Sequence, residues 1–424
     1  MNKSNIANDP PSFAERLWPG FCWLVFSYFV TVIVLNRGVY TLISLLMIGV
    51  VFVAVYGYRP RWDFELRALA LLLIVNLLLS LPNIFLGNDG PLSLSNPVRM
   101  LFMLPFVFAV IRFGMNLRFI CIGLATGMLI AALIVSWQFF LQDVGRPAGY
   151  SDPIPLANVA MSAFAMLLAT CLVIQDRWVP LYLAGSVAAL YCVILTNSRG
   201  ALLAIVPILL FLLWWVWQRG TLNHLFSGRR VFLIVTILLF LGSVVIGKGH
   251  LIDRIKIAVT QTNDYFEKGD ASTSVGLRLE LWHGAWLAGN EHPILGVGEF
   301  RRQPFIAQKI IDGALKSDIA ANWIHVHNDY LNALQLRGYP GLLLVLVFYA
   351  LMMLIFLRSL SLATGEQLVA SLGGALITVG YATYSLTSVP MRSGITVIFY
   401  VITISLCIGI IKHSPRTNSA ENPS

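Results

Sequence analysis

The sequence predicts an all-α, polytopic integral membrane protein with about twelve transmembrane helices and one large loop carrying short helices. Three observations predict it. Of the 424 residues, 58% are hydrophobic and only 12% are charged, against roughly 25% charged in a soluble globular domain. Mean hydropathy is +0.77, more apolar surface than a fold in water can hide, so the solvent is lipid. The apolar residues also fall into runs of about twenty, the length that crosses a bilayer as a helix.

On that ruler the spans are expected at 19–36, 39–58, 66–86, 98–113, 118–141, 155–175, 179–196, 200–217, 231–247, 339–357, 367–388 and 393–412. The run ending at Phe113 is short and suits a tilted or re-entrant segment. Glycine helps the turns at Asn36-Arg37-Gly38 and Asn197-Ser198-Arg199-Gly200. Residues 1–18 are a polar N-terminal tail, with no cleavable leader expected before the first run. Residues 19–247 hold spans one to nine, 248–338 form the large loop, 339–412 hold the last three spans and 413–424 are a polar tail.

Charge sets the expected orientation. With a cytoplasmic N-terminus, 14 Lys and Arg fall on the inner side and 5 (Arg37, Arg99, Arg146, Arg199, Arg392) in short outer loops. Inner loops carry the basic excess, so both termini are expected in the cytoplasm and 248–338 on the far side. The formal net charge of +9 is spread singly between apolar runs, which fits loop anchors rather than a nucleic-acid stripe. Cys22, Cys121, Cys171, Cys192 and Cys407 all lie inside apolar runs without metal or redox spacing, and read as small hydrophobes.

The loop holds ten acids, ten bases and five of the seven histidines. Within it, Leu277 to Leu287 reads as a helix with Trp282 and Trp286 one turn apart, a spacing suited to the headgroup layer. Glu291-His292-Pro293 and Gly296-Val297-Gly298 break it. The loop ends in Ile324-His325-Val326-His327-Asn328-Asp329 and, after a further apolar stretch, Gly338-Tyr339-Pro340-Gly341. Ionisable groups where a span begins are costly unless used.

His327 is the candidate general base, since neutral imidazole is the usual one near neutral pH. Asp329 can orient it in an extended turn but not on a helix, where two residues apart do not share a face. The structural alternative is a helix cap built by Asn328 or Asp329. His325 and His327 lack a third ligand at metal-site spacing. Arg199, at the end of a span, is either a snorkelling anchor or a phosphate fork. Arg278 is either a headgroup contact or a second arm on one pyrophosphate, with Arg301 and Arg302 as weaker candidates. No nucleotide-binding loop, Gly-x-Ser-x-Gly elbow or His-Glu-x-x-His motif is present. A membrane enzyme without these motifs could take its energy from an activated lipid substrate.

His327-Asn328, then nine residues, then Gly338-Tyr339-Pro340-Gly341 resembles the His-motif of the bacterial O-antigen ligases, the lipid A-core:surface polymer ligases. Ser198-Arg199-Gly200 and Arg278 followed by Pro293 to Gly298 resemble that group's arginine-bearing segments. The group includes O-antigen polymerases and protein O-oligosaccharyltransferases, both alternatives here; a transporter of lipid-linked sugars is an alternative from another class. The resemblance implies a Gram-negative inner-membrane enzyme of lipopolysaccharide biosynthesis with its site facing the periplasm. It would transfer O-antigen from undecaprenyl pyrophosphate to a sugar hydroxyl of lipid A-core, among membrane lipids and without nucleic acid, cofactor or metal. His327 would be the base, with inversion at the anomeric carbon, and Arg199 and Arg278 would bind the pyrophosphate. Asn328, Asp329, Gly338, Gly341, Trp282 and Arg301 would support the site.

Overall fold

A computed structural model describes residues 13–32, 34, 37–218, 250–316 and 325–413. In chain order the helices are α1 (Phe13–Thr31), α2 (Arg37–Val55), α3 (Phe64–Leu78), α4 (Leu81–Phe85), α5 (Ser95–Leu101), α6 (Met103–Phe113), α7 (Leu117–Phe140), α8 (Pro153–Val173) and α9 (Val179–Leu195). They continue with α10 (Arg199–Leu203), α11 (Ile205–Gln218), α12 (His250–Lys268), α13 (Ser274–Glu291), α14 (Gly298–Ile311), α15 (Asp329–Leu360), α16 (Gly365–Tyr384) and α17 (Gly394–Lys412). No strand occurs among the described residues. Seven helical stretches among them are long and apolar enough to cross a membrane, and two shorter apolar helices cover Thr41–Val55 and Val179–Leu195. The expected span at 231–247, Ile324 and most of both polar tails lie outside the described residues.

Where the chain is described the expected spans fall mostly on helix, those at 66–86, 98–113 and 200–217 each broken into two helices, and two differences have a clear physical reason. The run after Asp63 is two helices, because Pro82 cannot donate to Leu78 and the chain restarts at Leu81. The helix expected from 339 starts ten residues earlier, at Asp329, and is interrupted at Gly338.

The main core is one continuous cluster through α1, α2, α3, α5 to α11 and α15 to α17. Helix α8 sits at its centre, with fifteen of its residues buried, and packs on α9 and α16. Small residues permit this: a side-chain carbon on Gly185 of α9 would strike the Cα of Ala125 on α7. A second, smaller core of Leu281, Ala285, Ile306, Leu315 and Val326 holds α13 and α14 together. The loop thus has a core of its own, and Val326 belongs to it.

The break in α15 is satisfied bond by bond. At Gly338 φ is +66°, outside helical space, so Tyr339 N–H cannot reach Gln335 C=O. Instead Tyr339 N–H donates to Pro293 O at 2.8 Å, and Gln335 O accepts from Val297 N–H at 2.8 Å. Pro340 has no N–H to give Leu336 O, which accepts from Asn83 Nδ2 at 2.8 Å. The same Asn83 amide donates to Leu295 O at 2.8 Å. The turn from Pro293 to Val297 therefore replaces the helical bonds lost at the break.

This gives Gly338 a structural role with a measurable consequence. A side chain there would run into the Pro293 carbonyl, in a backbone region that only glycine enters freely. Gly338→Ala is expected to cost about 1–3 kcal/mol through backbone strain alone, with more from the collision. A fall in melting temperature in detergent checks it, and a melting temperature equal to the parent's would contradict it. Gly341 faces the backbone of Ala333 across the same break and lets the two half-helices close.

Candidate functional site

His327 lies between two fixed neighbours. Before it, Val326 is buried in the loop core and its carbonyl accepts from Trp282 Nε1 at 3.0 Å. After it, Asn328 and Asp329 start α15. His327 bridges them with φ at +52°, a left-handed conformation uncommon for a side-chain-bearing residue. Such strain persists only where the surroundings enforce it, and it concentrates at functional sites.

Asn328 is the helix cap: its Oδ1 accepts from Leu331 N–H at 3.0 Å, and its Nδ2 donates to Leu386 O at 3.3 Å. Asp329, offered from the sequence as a partner able to orient the imidazole, is held by the turn between α16 and α17. Its carboxylate accepts from Met391 N–H at 2.9 Å and from Ser385 Oγ at 3.3 Å, while its own N–H donates to Ser385 O at 2.8 Å. Both residues bind the start of α15 to the turn between α16 and α17. The capping alternative and the base alternative are therefore compatible, since they fall on different residues.

The same turn positions Arg199. Helix α10 begins at Arg199 after Asn197, whose φ is +54°. Gly200 lies against Thr387 so closely that a side chain there would overlap its hydroxyl. The segment from Ser385 to Met391 thus fixes both the His327 turn and the Arg199 helix. Sequence reading missed this segment, whose contributions are mostly backbone groups.

Arg199 is exposed and Arg278, in α13, is half-buried. Burial lowers the Arg278 pKa, and the charges of Arg199 and Arg146 lower it further. Three guanidinium groups from three segments therefore share one field. Among the described residues, no ion pair joins any of them to a carboxylate. Arg146 was not singled out beforehand. Its Nε donates to Thr196 O at 3.3 Å, next to the Arg199 turn. A signal was available: it is one of five bases that run against the charge bias of the short loops.

Arg278 also bears on His327. Burial pushes the His327 pKa from 6.5 down to about 4, and His325 and Arg278 add to the fall. The rings of His325 and His327 are 4.5 Å apart between centroids. His325 is itself lowered by burial and by Arg392 and Arg302, with Glu299 opposing. At neutral pH the His327 imidazole is thus neutral and has a lone pair to accept a proton.

The remaining candidates separate. Arg301 is exposed, whereas Arg302 is buried, so the two adjacent guanidinium groups face different surroundings. Trp282 is half-buried and its indole anchors the histidine loop, while Trp286 is exposed. Gly338 and Gly341 shape the helix break and have no chemical group to offer.

The arrangement is a neutral imidazole beside guanidinium groups that have no carboxylate ion pair among the described residues, at one end of an apolar helix bundle. Residues 184–346 match the family described as O-antigen ligase. The match supports an O-antigen ligase-type family member. It runs from α9 to the first half of α15 beyond the break and takes in Arg199, Arg278, His327, Gly338 and Gly341. An uncharacterized protein of Haemophilus influenzae, strain Rd, is 22% identical over 352 residues, which is 80% of this chain and 85% of that protein. The O-antigen ligase family is associated with glycosyltransferase-type ligase activity in a setting of lipid-linked glycans and membrane lipids. With the helix composition, it supports a multi-pass membrane protein.

Proposed function

We propose that this protein is an inverting, metal-independent glycosyltransferase that moves O-antigen from undecaprenyl pyrophosphate to a sugar hydroxyl of lipid A-core at the periplasmic face of the inner membrane. The observation that carries this reading is the convergence of Arg146, Arg199 and Arg278 in one field that also reaches His327. Three mutually repelling cations with no carboxylate ion pair among the described residues form a site prepared for a multiply charged anion.

In the reaction the acceptor hydroxyl attacks the anomeric carbon as its proton passes to a His327 ring nitrogen. The bond between that carbon and the pyrophosphate oxygen breaks, and its electron pair leaves with the pyrophosphate. Attack from the opposite face inverts the carbon. Arg199 and Arg278 stabilise the negative charge that gathers on the leaving group, and they act most strongly where water is scarce. Asn328 and Asp329 hold the imidazole in place by fixing the backbone on its helical side. Both substrates are lipid-anchored, which raises their concentration at the bilayer surface.

Purified protein reconstituted with lipid-linked glycan and lipid A-core is expected to form the new glycosidic bond without ATP and in the presence of a chelator. Deletion of the gene is expected to leave polymer stranded on undecaprenyl pyrophosphate. Lipid A-core bearing a single repeat in that strain would instead identify an O-antigen polymerase, and unglycosylated pilin a protein O-oligosaccharyltransferase. Translocation of the lipid-linked glycan without a new bond would assign the protein to transport.

A further inference from the structure

His327 is a link between two bodies. On its N-terminal side Val326 is buried in the loop core, which it shares with Ile306 of α14. On its C-terminal side Asp329 accepts from Met391 N–H at 2.9 Å, in the turn between α16 and α17. The left-handed turn at His327 therefore spans from the loop core to the bundle. Its shape depends on how far apart those two anchors sit.

A second connection joins the same two bodies. Arg392, next in the chain to Met391, donates to both carboxylate oxygens of Glu299, at 2.7 and 2.8 Å. Glu299 lies in the first turn of α14. The path from Val326 through His327, Asp329, Met391, Arg392 and Glu299 returns to Val326 through the loop core. His327 is one link of a closed circuit, and the ion pair is another.

Both ends of the pair are held at the backbone. The Arg392 carbonyl accepts from Asn96 Nδ2 on α5 at 2.8 Å. Glu299 N–H donates to the Asp89 carboxylate, and Phe300 N–H donates to Asn88 O at 2.8 Å. Those last two bonds tie α14 to the segment after α4, whereas the ion pair sets its distance from the turn that holds Asp329. A two-bond fork fixes angle as well as distance. Its side chains are 32% and 27% exposed, so water screens the pair only in part. Its charges also reach the histidine turn: Arg392 lowers the pKa of His325 and Glu299 raises it.

We propose that Glu299 and Arg392 are a positioning pair that sets the distance between the loop core and the α16–α17 turn, and thereby the placement of the His327 imidazole. The coupling stands on the contacts alone, while its effect on turnover rests on the transfer reading. Full-length Glu299→Gln, Arg392→Gln and the double variant are compared with the parent in detergent by hydrogen exchange. Amides from Asp329 to Asn332, which are bonded to Ser385 and Asn328, are expected to exchange about tenfold faster in either single variant. The Tyr339 amide at the helix break should exchange as in the parent. The double variant should match the singles, because either loss already breaks the pair.

In the reconstituted transfer assay the single variants are expected to lose about 10–10²-fold in kcat, the scale of misplacing a reacting group by ~1 Å, with KM for the lipid-linked glycan unchanged. Arg392→Lys keeps the charge and is expected to fall between parent and Arg392→Gln, for which it stands in if that variant is not monodisperse. Parental exchange at the start of α15 in the single variants would overturn the proposal. So would parental kcat in the variants of an active protein, or losses that multiply in the double variant. A parent protein that forms no glycosidic bond would refute the transfer reading instead, and the exchange result would then decide the coupling.

Discussion

His327→Ala is expected to lower the transfer rate by about 10²–10⁴-fold, the range that a positioned general base contributes. The protein should stay folded, because the turn is anchored by Trp282 on Val326 and by Asn328 and Asp329 on the α16–α17 segment. His327→Asn is the sharper control. Asparagine tolerates the left-handed conformation that His327 adopts at φ +52°, so that variant removes the base with little change in backbone strain. Wild-type turnover in both variants would remove the assignment.

The pH dependence makes the test more specific. With its pKa held at about 4 rather than 6.5, His327 stays unprotonated in the free enzyme down to mildly acidic pH. The acid limb of kcat/KM, which reports the free enzyme, is therefore expected near that value. A bound pyrophosphate brings negative charge that offsets the field of Arg278 and favours the imidazolium. The acid limb of kcat, which reports the bound enzyme, should then lie at higher pH. Coincident limbs near 6.5 would contradict the geometry.

Stability carries the same signature. The unfolded chain takes up this proton near 6.5 and the folded chain near 4, so between those values the unfolded state binds more protons. This group's contribution therefore makes the protein less stable as pH falls through the window and more stable as pH rises. His327→Asn should flatten that part of the melting profile.

Removal of Arg278 is the second large effect. Arg278→Ala is expected to lower the rate by about 10²–10³-fold, the cost of losing one preorganised donor at a developing anion. Arg199→Ala should act in the same direction and less strongly, because Arg199 is exposed and water screens its charge, whereas Arg278 is half-buried. Lysine at either position should recover only part of the rate, since an ammonium cannot grip two oxygens in a plane. The Arg278→Ala variant should also raise the acid limb of kcat/KM, because it removes a cation that disfavours protonated His327. A merely structural arginine would leave that limb in place.

Much of the architecture is legible in composition and run length. Lipid as solvent forces helices on the chain, since every backbone group must find its partner within its own segment. Arg199 and His327 stand out as candidates because ionisable groups at the ends of apolar runs are costly, and so conspicuous. The caps at Asp63, Asn116 and Asn328 follow from local chemistry, where one side chain meets an N–H two or three residues away.

What the sequence could not express is which distant segments meet. Asp329 lies two residues from His327, and proximity in the chain suggested a pair; the fold instead spends its carboxylate on Ser385 and Met391, more than fifty residues on. Gly338 reads only as the first glycine of a Gly-x-x-Gly motif, and it is the docked turn at Pro293 that shows its missing side chain makes room for a carbonyl. Arg146 is one base among several until its field is found to overlap those of Arg199 and Arg278. The sequence by itself determined the medium, the helices and the chemical groups on offer, because those depend on residue type and near neighbours. Tertiary structure alone decided the partners, because long-range contacts are set by packing among helices whose apolar surfaces look alike along the chain.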